Sequence, residues 1–170
     1  MCYHLYMSDF QRSGARGFSL IELVLTMSVM LILFSVVYLT TRPAESQAKA
    51  RDGKRLSDMQ VLARVVDEFR IDTGDYPDFM DALRKSTVLP ESNAGPLESP
   101  VRGWIKQDLS RYNVKLPLDP QNDENYYYSY KKTTTGYELN AVLEYYLQYA
   151  QDDGGSNAAV YELGTDLGIM

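Results

Sequence analysis

The sequence predicts an α+β fold in which a long N-terminal α-helix packs on a small antiparallel β-sheet. Three observations predict it: a continuous apolar run over residues 18–39, a helical repeat of apolar residues beyond it, and an alternating tyrosine-rich stretch over residues 126–143. The first two patterns form a transmembrane half and an amphipathic half of one helix, and the third forms a hairpin of the sheet.

Length and composition limit the classes of protein that remain. The chain has 170 residues and a formal net charge of −6, with one cysteine, Cys2, and one histidine, His4. The acidic balance opposes a nucleic-acid partner, since such binding depends on Lys and Arg that neutralise phosphates. Because Cys2 and His4 both precede the apolar run, the rest of the chain has no thiol or imidazole for catalysis or zinc binding. We therefore expect no enzymatic activity.

The apolar run from Phe18 to Leu39 is long enough to cross a membrane. As a helix, its 22 or so residues span a hydrocarbon core of roughly 30 Å. A secretory signal peptide has a shorter apolar region, of about 7–15 residues. Arg12 and Arg16 precede the run, and by the positive-inside rule they hold the N-terminus in the cytoplasm. We predict a single-pass protein of the cytoplasmic membrane whose C-terminal domain lies outside.

Glu22 is the one charged residue between Arg16 and Arg42. A carboxylate inside a membrane helix is costly unless it is paired, protonated or close to the interface, so such a residue suggests a function. It also lies only one helical turn inside the run, where its side chain could reach water at the headgroups. The residues alone leave both interpretations open.

The segment from Gly17 to Glu22, GFSLIE, follows a short basic leader and precedes the apolar run. This arrangement closely resembles the N-terminal signal of type IV prepilins and pseudopilins. The resemblance implies that a prepilin peptidase cuts between Gly17 and Phe18 on the cytoplasmic side and that Phe18 is then N-methylated. It also implies that Glu22 pairs with the free N-terminal amine of a neighbouring subunit during assembly.

The same resemblance implies a processing pathway and a set of partners. The cytoplasmic leader, residues 1–17, starts at Met1 or at Met7 and is removed. The implied partners are copies of the chain, other pilins or pseudopilins, the prepilin peptidase, an inner-membrane assembly platform and, before assembly, membrane lipid. Residues 18–41 would form the transmembrane and assembly helix of a pilin fold. After assembly the subunit would belong to an extracytoplasmic filament.

Residues 42–74 are predicted to continue the helix with one apolar face. That face consists of Leu56, Met59, Leu62, Val66 and Phe69. Pro43 lacks a backbone donor and Gly53 lowers helix propensity, so we expect a kink or local opening at one of them. Gly74, followed by Pro77, predicts the end of the helix.

Residues 75–170 are predicted to form a globular domain with few regular elements. Asp78 is expected to cap a short helix that runs through Lys85. A loop marked by Pro90, Gly95, Pro96 and Pro100 follows, and a second short helix is expected over Trp104 to Leu109. The hairpin near residues 126–143 and a strand over Val160 to Leu163 then complete the sheet.

Major pseudopilins often bind calcium in the loop after the sheet, and the acidic loop of this chain is residues 151–157. The resemblance therefore implies calcium as the one candidate cofactor, with Asp152 and Asp153 as ligands and Asp166 as a third candidate. Carboxylate oxygens are ligands that calcium prefers. The loop does not match an EF-hand, so the residues themselves favour a solvated turn without a cofactor, and a calcium site is the alternative interpretation.

The predicted function is that of a structural subunit of a type IV pilus-like filament. It is either a pseudopilin of a type II secretion system or a minimal type IV pilin. Many type IV pilins close their C-terminal loop with a disulfide, and the absence of cysteines there favours the pseudopilin. The alternative is a single-pass, membrane-anchored binding module outside the cytoplasm that does not polymerise. Such a module would need neither Phe18 nor Glu22.

Overall fold

The computed structural model describes residues 17–88 and 96–170, which fall into two compact units divided between Arg42 and Pro43. Arg12 and Arg16 of the leader lie outside the described residues, as do Pro90 and Gly95 of the predicted loop.

The first unit contains helix α1, Leu20–Thr41, which has 22 residues. No glycine or proline interrupts it, and Ser19 precedes it in an extended conformation. Four hydroxyl side chains of α1 donate to helix carbonyls three or four residues earlier at 2.8–3.0 Å: those of Thr26, Ser28, Ser35 and Thr40. These hydroxyls therefore present no unsatisfied donor to an apolar environment.

The predicted interruption of the helix falls at Arg42 rather than at Gly53. Arg42 has a φ of 38° and ends α1, and helix α2, Pro43–Thr73, begins at the next residue. A proline disfavours the right-handed helical conformation of the residue before it, yet it suits the first position of a helix. Gly53 lies inside α2, where the remaining helical hydrogen bonds tolerate it.

Helix α2 packs on the sheet of the second unit through an apolar face. Its buried apolar residues are Met59, Leu62, Val65, Val66 and Phe69. The helix ends where Gly74 takes a φ of 82° and donates its N–H to the carbonyl of Arg70 at 2.8 Å. Glycine adopts this left-handed conformation without steric cost, as the sequence predicted for the helix end.

The sheet has four antiparallel strands in the order β1-β2-β3-β4. These strands are β1, Arg84–Lys85; β2, Tyr128–Lys132; β3, Tyr137–Ala141; and β4, Tyr161–Gly164. A short helix, α3, Leu147–Gln151, lies between β3 and β4 in the chain. A long N-terminal helix with a small antiparallel sheet is the predicted α+β fold, which is confirmed.

The alternating tyrosines of β2 and β3 face α2. Tyr130 pairs with Leu139 and Lys132 with Tyr137, so their side chains share one face of the sheet. The Tyr130 hydroxyl donates to the carbonyl of Pro77 at 2.8 Å, and the Tyr128 hydroxyl donates to Asp58 on α2 at 2.9 Å. Burial of the rings and satisfaction of their hydroxyls explain why this strand pair is rich in tyrosine.

The predicted helix from Asp78 to Lys85 is wrong. Asp78 and Asp81 have φ values of 73° and 58°, and the segment forms turns that end in β1. The Asp78 carboxylate accepts a hydrogen bond from the N–H of Phe79 at 2.6 Å and two from Arg84. This side-chain bonding competes with a helix, and pairing of β1 with β2 extends the chain.

The predicted helix from Trp104 to Leu109 is also wrong. Its backbone donors bond outside the segment, Trp104 to the carbonyl of Leu97 and Leu109 to the carbonyl of Pro100. Trp104 itself is buried, and its indole N–H donates to the carbonyl of Pro117 at 3.1 Å. The residue therefore packs in the core.

Candidate functional site

The junction between Gly17 and Phe18 lies in non-helical chain just before α1. Phe18 is 80% exposed. A Cβ built on Gly17 would meet no atom within 4 Å, so this position has room around it. An accessible, non-helical peptide bond is what a peptidase requires.

Glu22 lies in the first turn of α1, and its side chain is exposed. A carboxylate there interacts favourably with the positive end of the helix dipole. The Glu22 side chain points out of the helix. The other residues of α1 are uncharged, so none of them provides a partner of opposite charge. Glu22 is thus available to a cation supplied by another molecule.

The surface of α1 is apolar around the whole helix. Every described side chain of the helix is exposed, including Leu20, Ile32, Phe34 and Leu39. A helix that is apolar on all sides is stable only in lipid or when other helices surround it. By length and composition, α1 is able to cross a membrane.

A buried ion cluster of Asp52, Arg55, Asp119 and Glu144 fixes α2 to two distant segments. The Arg55 guanidinium donates to Asp52 at 2.8 Å, to Asp119 at 2.6 and 3.1 Å, and to Glu144 at 2.5 Å. The side chains of Asp52, Arg55 and Asp119 have no exposed surface. Buried charges persist only when they are paired in this way, so the cluster defines the position of both segments on α2.

Asp52 also orders the chain that follows β3. Its carboxylate accepts hydrogen bonds from the backbone N–H groups of Glu144, Tyr145 and Tyr146 at 2.7–3.0 Å. Sequence reasoning missed this role and that of Arg55. The sequence did contain one indication of these roles. Asp52 and Arg55 are three residues apart and continue the apolar face of α2 that begins at Leu56.

The ion cluster changes the pKa values of Arg55 and Glu144. Burial alone would lower the pKa of Arg55, but its hydrogen bonds to Asp119, Glu144 and Asp52 outweigh burial and raise it. The hydrogen bond from Arg51 lowers the pKa of Glu144 to about 2; burial opposes this shift and Arg55 adds to it. Glu144 therefore stays ionised in the folded chain over the physiological range.

Acid should weaken the fold through Glu144. Its folded pKa of about 2 lies below the ordinary value of 4.5, so its contribution to stability is complete above pH 4.5 and is lost as the pH falls towards 2. We expect the melting temperature of wild type to fall more steeply across this interval than that of Glu144→Gln, which has no titrating carboxyl. Fluorescence of Trp104 can follow both melts. Parallel curves for the two proteins would contradict this assignment.

The candidate calcium ligands do not form a ligand set in this arrangement. The two Asp153 oxygens accept the N–H groups of Gly155 and Glu162, each at 2.7 Å. Asp166 accepts the hydroxyl of Thr135 at 2.7 Å, and Asp152 is exposed. Residues 17–88 and 96–170 contain no group of three His, Cys, Asp or Glu side chains able to hold a metal. Calcium binding stays a prediction.

Two further carboxylates, Glu138 and Glu162, are buried on the face of the sheet away from α2. Glu138 accepts the N–H groups of Ile169 and Met170 at 2.9 and 3.1 Å, and Glu162 accepts that of Asn157 at 3.0 Å. Burial raises the pKa of Glu162, and the neighbouring Glu138 adds to that shift. These carboxylates tie the last residues of the chain and the loop before β4 to the sheet.

The geometry defines a class of protein: a subunit with an apolar N-terminal helix able to anchor it in a membrane, joined to a small α+β unit. A family model of the prokaryotic N-terminal methylation motif matches residues 12–38. Type II secretion system core protein G of Pseudomonas aeruginosa is 29% identical over 110 residues, which cover 65% of this chain and 70% of that protein. The protein of the same name from Pectobacterium carotovorum is 27% identical over 115 residues, with coverage of 66% and 67%. No solved structure matches significantly. These matches support assignment of the chain to the type IV pilin and pseudopilin family.

Proposed function

We propose that this chain is a pseudopilin, a structural subunit of the filament of a type II secretion system. The observation that carries the proposal is α1: a 22-residue helix, apolar on all sides, with a single carboxylate in its first turn. The similarity to two proteins named type II secretion system core protein G supports the choice of a secretion filament. The pilin family is one of structural subunits, and the proposal assigns no enzymatic activity to the chain.

The subunit would first enter the cytoplasmic membrane through α1, with Arg12 and Arg16 on the cytoplasmic side and the second unit outside. A prepilin peptidase would then cut between Gly17 and Phe18, and Phe18 would be methylated on its new amine. Helices of other copies and of other pseudopilins would replace lipid around α1 as an assembly platform extracts the subunit. Apolar packing between the helices then substitutes for the hydrocarbon core.

The pairing of Glu22 with the N-terminal amine of Phe18 in a neighbouring copy would give the filament its register. Such a contact joins one patch of a subunit to a different patch on the next copy. A heterologous contact that does not close into a ring generates an open helical assembly. Both charges would be removed from water, so each needs the other.

Processing of the N-terminus tests the proposal. The full chain is expressed with and without a prepilin peptidase, and the N-terminal peptide is identified by mass spectrometry. We expect peptidase-dependent loss of residues 1–17 and one added methyl group on Phe18, together with filaments that can be sheared from cells. Gly17→Leu should keep the leader and form no filaments, and the open space at Gly17 means that the substitution leaves the fold intact.

An intact leader in the presence of the peptidase, or cleavage elsewhere, would overturn the proposal. The chain would then be better described as a membrane-anchored binding module that does not polymerise. Correct processing without filaments, in cells that hold the complete assembly machinery, would favour the same alternative.

A further inference from the structure

An exposed apolar knob, formed by Phe79, Met80 and Leu83, projects from the second unit just before β1. The exposed fractions of these side chains are 69%, 56% and 51%. Asp78 and Asp81, on either side of the first two, both have positive φ values, which are uncommon for residues other than glycine. Aspartate adopts such values more readily than most residues because its carboxylate bonds to nearby backbone, as that of Asp78 does to the N–H of Phe79 at 2.6 Å.

The knob is held firmly in place. The buried Asp78 carboxylate accepts hydrogen bonds from Arg84 at 2.6 and 2.8 Å and from the N–H of Lys106 at 2.7 Å. The N–H of Asp81 donates to the carbonyl of Lys132 on β2 at 3.0 Å. The apolar side chains are therefore presented to solvent by an anchored turn.

Basic residues surround one side of the knob. Leu83 borders a small groove of about 70 Å³ whose charged lining residues, among those that the structure describes, are Arg84, Lys85 and Lys106. The groove has no acidic side chain in its described lining. Arg84 is paired with Asp78, so Lys85 and Lys106 are the basic side chains that border the knob, while the exposed Asp81 follows Met80 in the chain.

An acidic cleft lies at the other edge of the sheet, beside α3 and β4. It has a volume of about 530 Å³ and is lined mainly by Leu56, Tyr149, Tyr161 and Leu167, with Asp152 and Asp153. No Lys, Arg or His belongs to its described lining. The cleft therefore combines an apolar wall with negative charge, which complements the apolar side chains of the knob and the two lysines that border it.

We propose that the knob of one copy docks in the acidic cleft of the next copy within the filament. This inference rests on the proposed function and adds to it a contact between the second units. The two surfaces lie beside β1 and β4, the opposite edges of one four-stranded sheet, so a single chain cannot join them. Repetition of a contact between opposite edges is heterologous and produces an open array.

Complementary charge and apolar burial would act together in this contact. Opposite potentials suppress wrong partners and fix the register of docking, whereas the apolar side chains contribute most of the affinity. Met80 is the best position at which to test both effects, because its exposure allows substitution without damage to the core.

The first test compares two charges at one position. Met80→Glu brings a carboxylate to the acidic cleft, and Met80→Lys brings an ammonium there on a side chain of similar length. We expect the yield of sheared filaments of Met80→Glu to be about tenfold lower than that of Met80→Lys. Both variants should be processed at the N-terminus like wild type. Equal filament yields would overturn the proposal.

The second test asks whether the two surfaces meet. In a Cys2→Ser background, the full chain carries Met80→Cys and Leu167→Cys, and filaments are treated with a short bismaleimide cross-linker. We expect a ladder of covalent multimers from the double variant and monomers from each single variant. Val114→Cys combined with Leu167→Cys is the matched control, since Val114 is an exposed apolar residue of neither surface.

The outcomes separate this contact from the proposed function. Processed, filament-forming chains without a ladder, or with a ladder equal to that of the control, would overturn the docking contact and leave the pseudopilin intact. A wild-type chain that is not processed and forms no filaments would overturn both. Cross-linking of the Met80→Cys position only to other membrane proteins, without covalent multimers of this chain, would also reject a second copy as the occupant of the cleft.

Discussion

Replacing Arg55 by methionine is expected to lower the free energy of unfolding of the second unit by about 3–5 kcal/mol. The substitution keeps much of the length of the side chain and removes its charge. Asp52 and Asp119 would then remain without a cation at positions that have no exposed surface. Glu144 would retain only Arg51, which is 29% exposed. The loss reflects uncompensated buried charge rather than a cavity.

Urea titration of the full chain in detergent, followed by fluorescence of Trp104, measures this effect. Trp104 is the sole tryptophan of the sequence and lies in the core of the second unit. Lys54→Met is the matched control: its side chain is 56% exposed and pairs with Asp58 at 3.4 Å. Because the lysine of this pair is solvent-exposed, the pair contributes about 0–1 kcal/mol. Similar losses for the two variants would contradict the role assigned to Arg55.

The elements that could be predicted from the sequence are those with a long or regular pattern. The run from Phe18 to Leu39 has few stable alternatives to a helix in an apolar environment. The alternation around Tyr128 and Tyr130 gives one buried face only if the segment is a strand. In both cases many residues support one conformation, so a single unfavourable residue does not change it.

The elements that could not be predicted depend on partners far away in the chain. Arg55 bonds to Asp119 and Glu144, which are 64 and 89 residues distant, and no local pattern links them. The two residues of β1 are too few to alternate, and they extend because β2 offers them a partner. The helix expected after Asp78 fails for the same reason, since Arg84 and β2 outweigh a local capping signal.

The candidate site residues likewise include some that the sequence could indicate and some that it could not. Gly17, Phe18 and Glu22 lie in one short segment, so the resemblance of that segment to a known N-terminal signal could indicate them. The loop around Asp152 and Asp153 is acidic in sequence, but in the structure the oxygens of Asp153 bond to its own neighbourhood. Nor does any sequence pattern join the knob at Met80 to the acidic cleft, because they come together only in a pair of chains.

Replacing Glu22 by alanine is expected to abolish filaments while leaving N-terminal processing unchanged. Cleavage after Gly17 would leave an ammonium on Phe18 at the start of an apolar helix, and an assembled bundle excludes the water that solvates it. Glu22 is the one acidic residue of α1. Apolar packing is not directional, so α1 without this carboxylate has affinity for other helices but no fixed register.

Thr26→Ala, one turn further along α1, is the matched control for Glu22→Ala. The Thr26 hydroxyl donates to the carbonyl of Leu23 in its own helix at 2.9 Å, so its removal leaves no buried donor of a neighbouring helix unpaired. Sheared filament yield and the mass of the N-terminal peptide are measured for both variants in the presence of the peptidase. We expect Thr26→Ala to assemble like wild type and Glu22→Ala to be processed but remain in the membrane. Full assembly of Glu22→Ala would mean that the carboxylate reaches water at the headgroups, and register would then have to come from contacts between the second units.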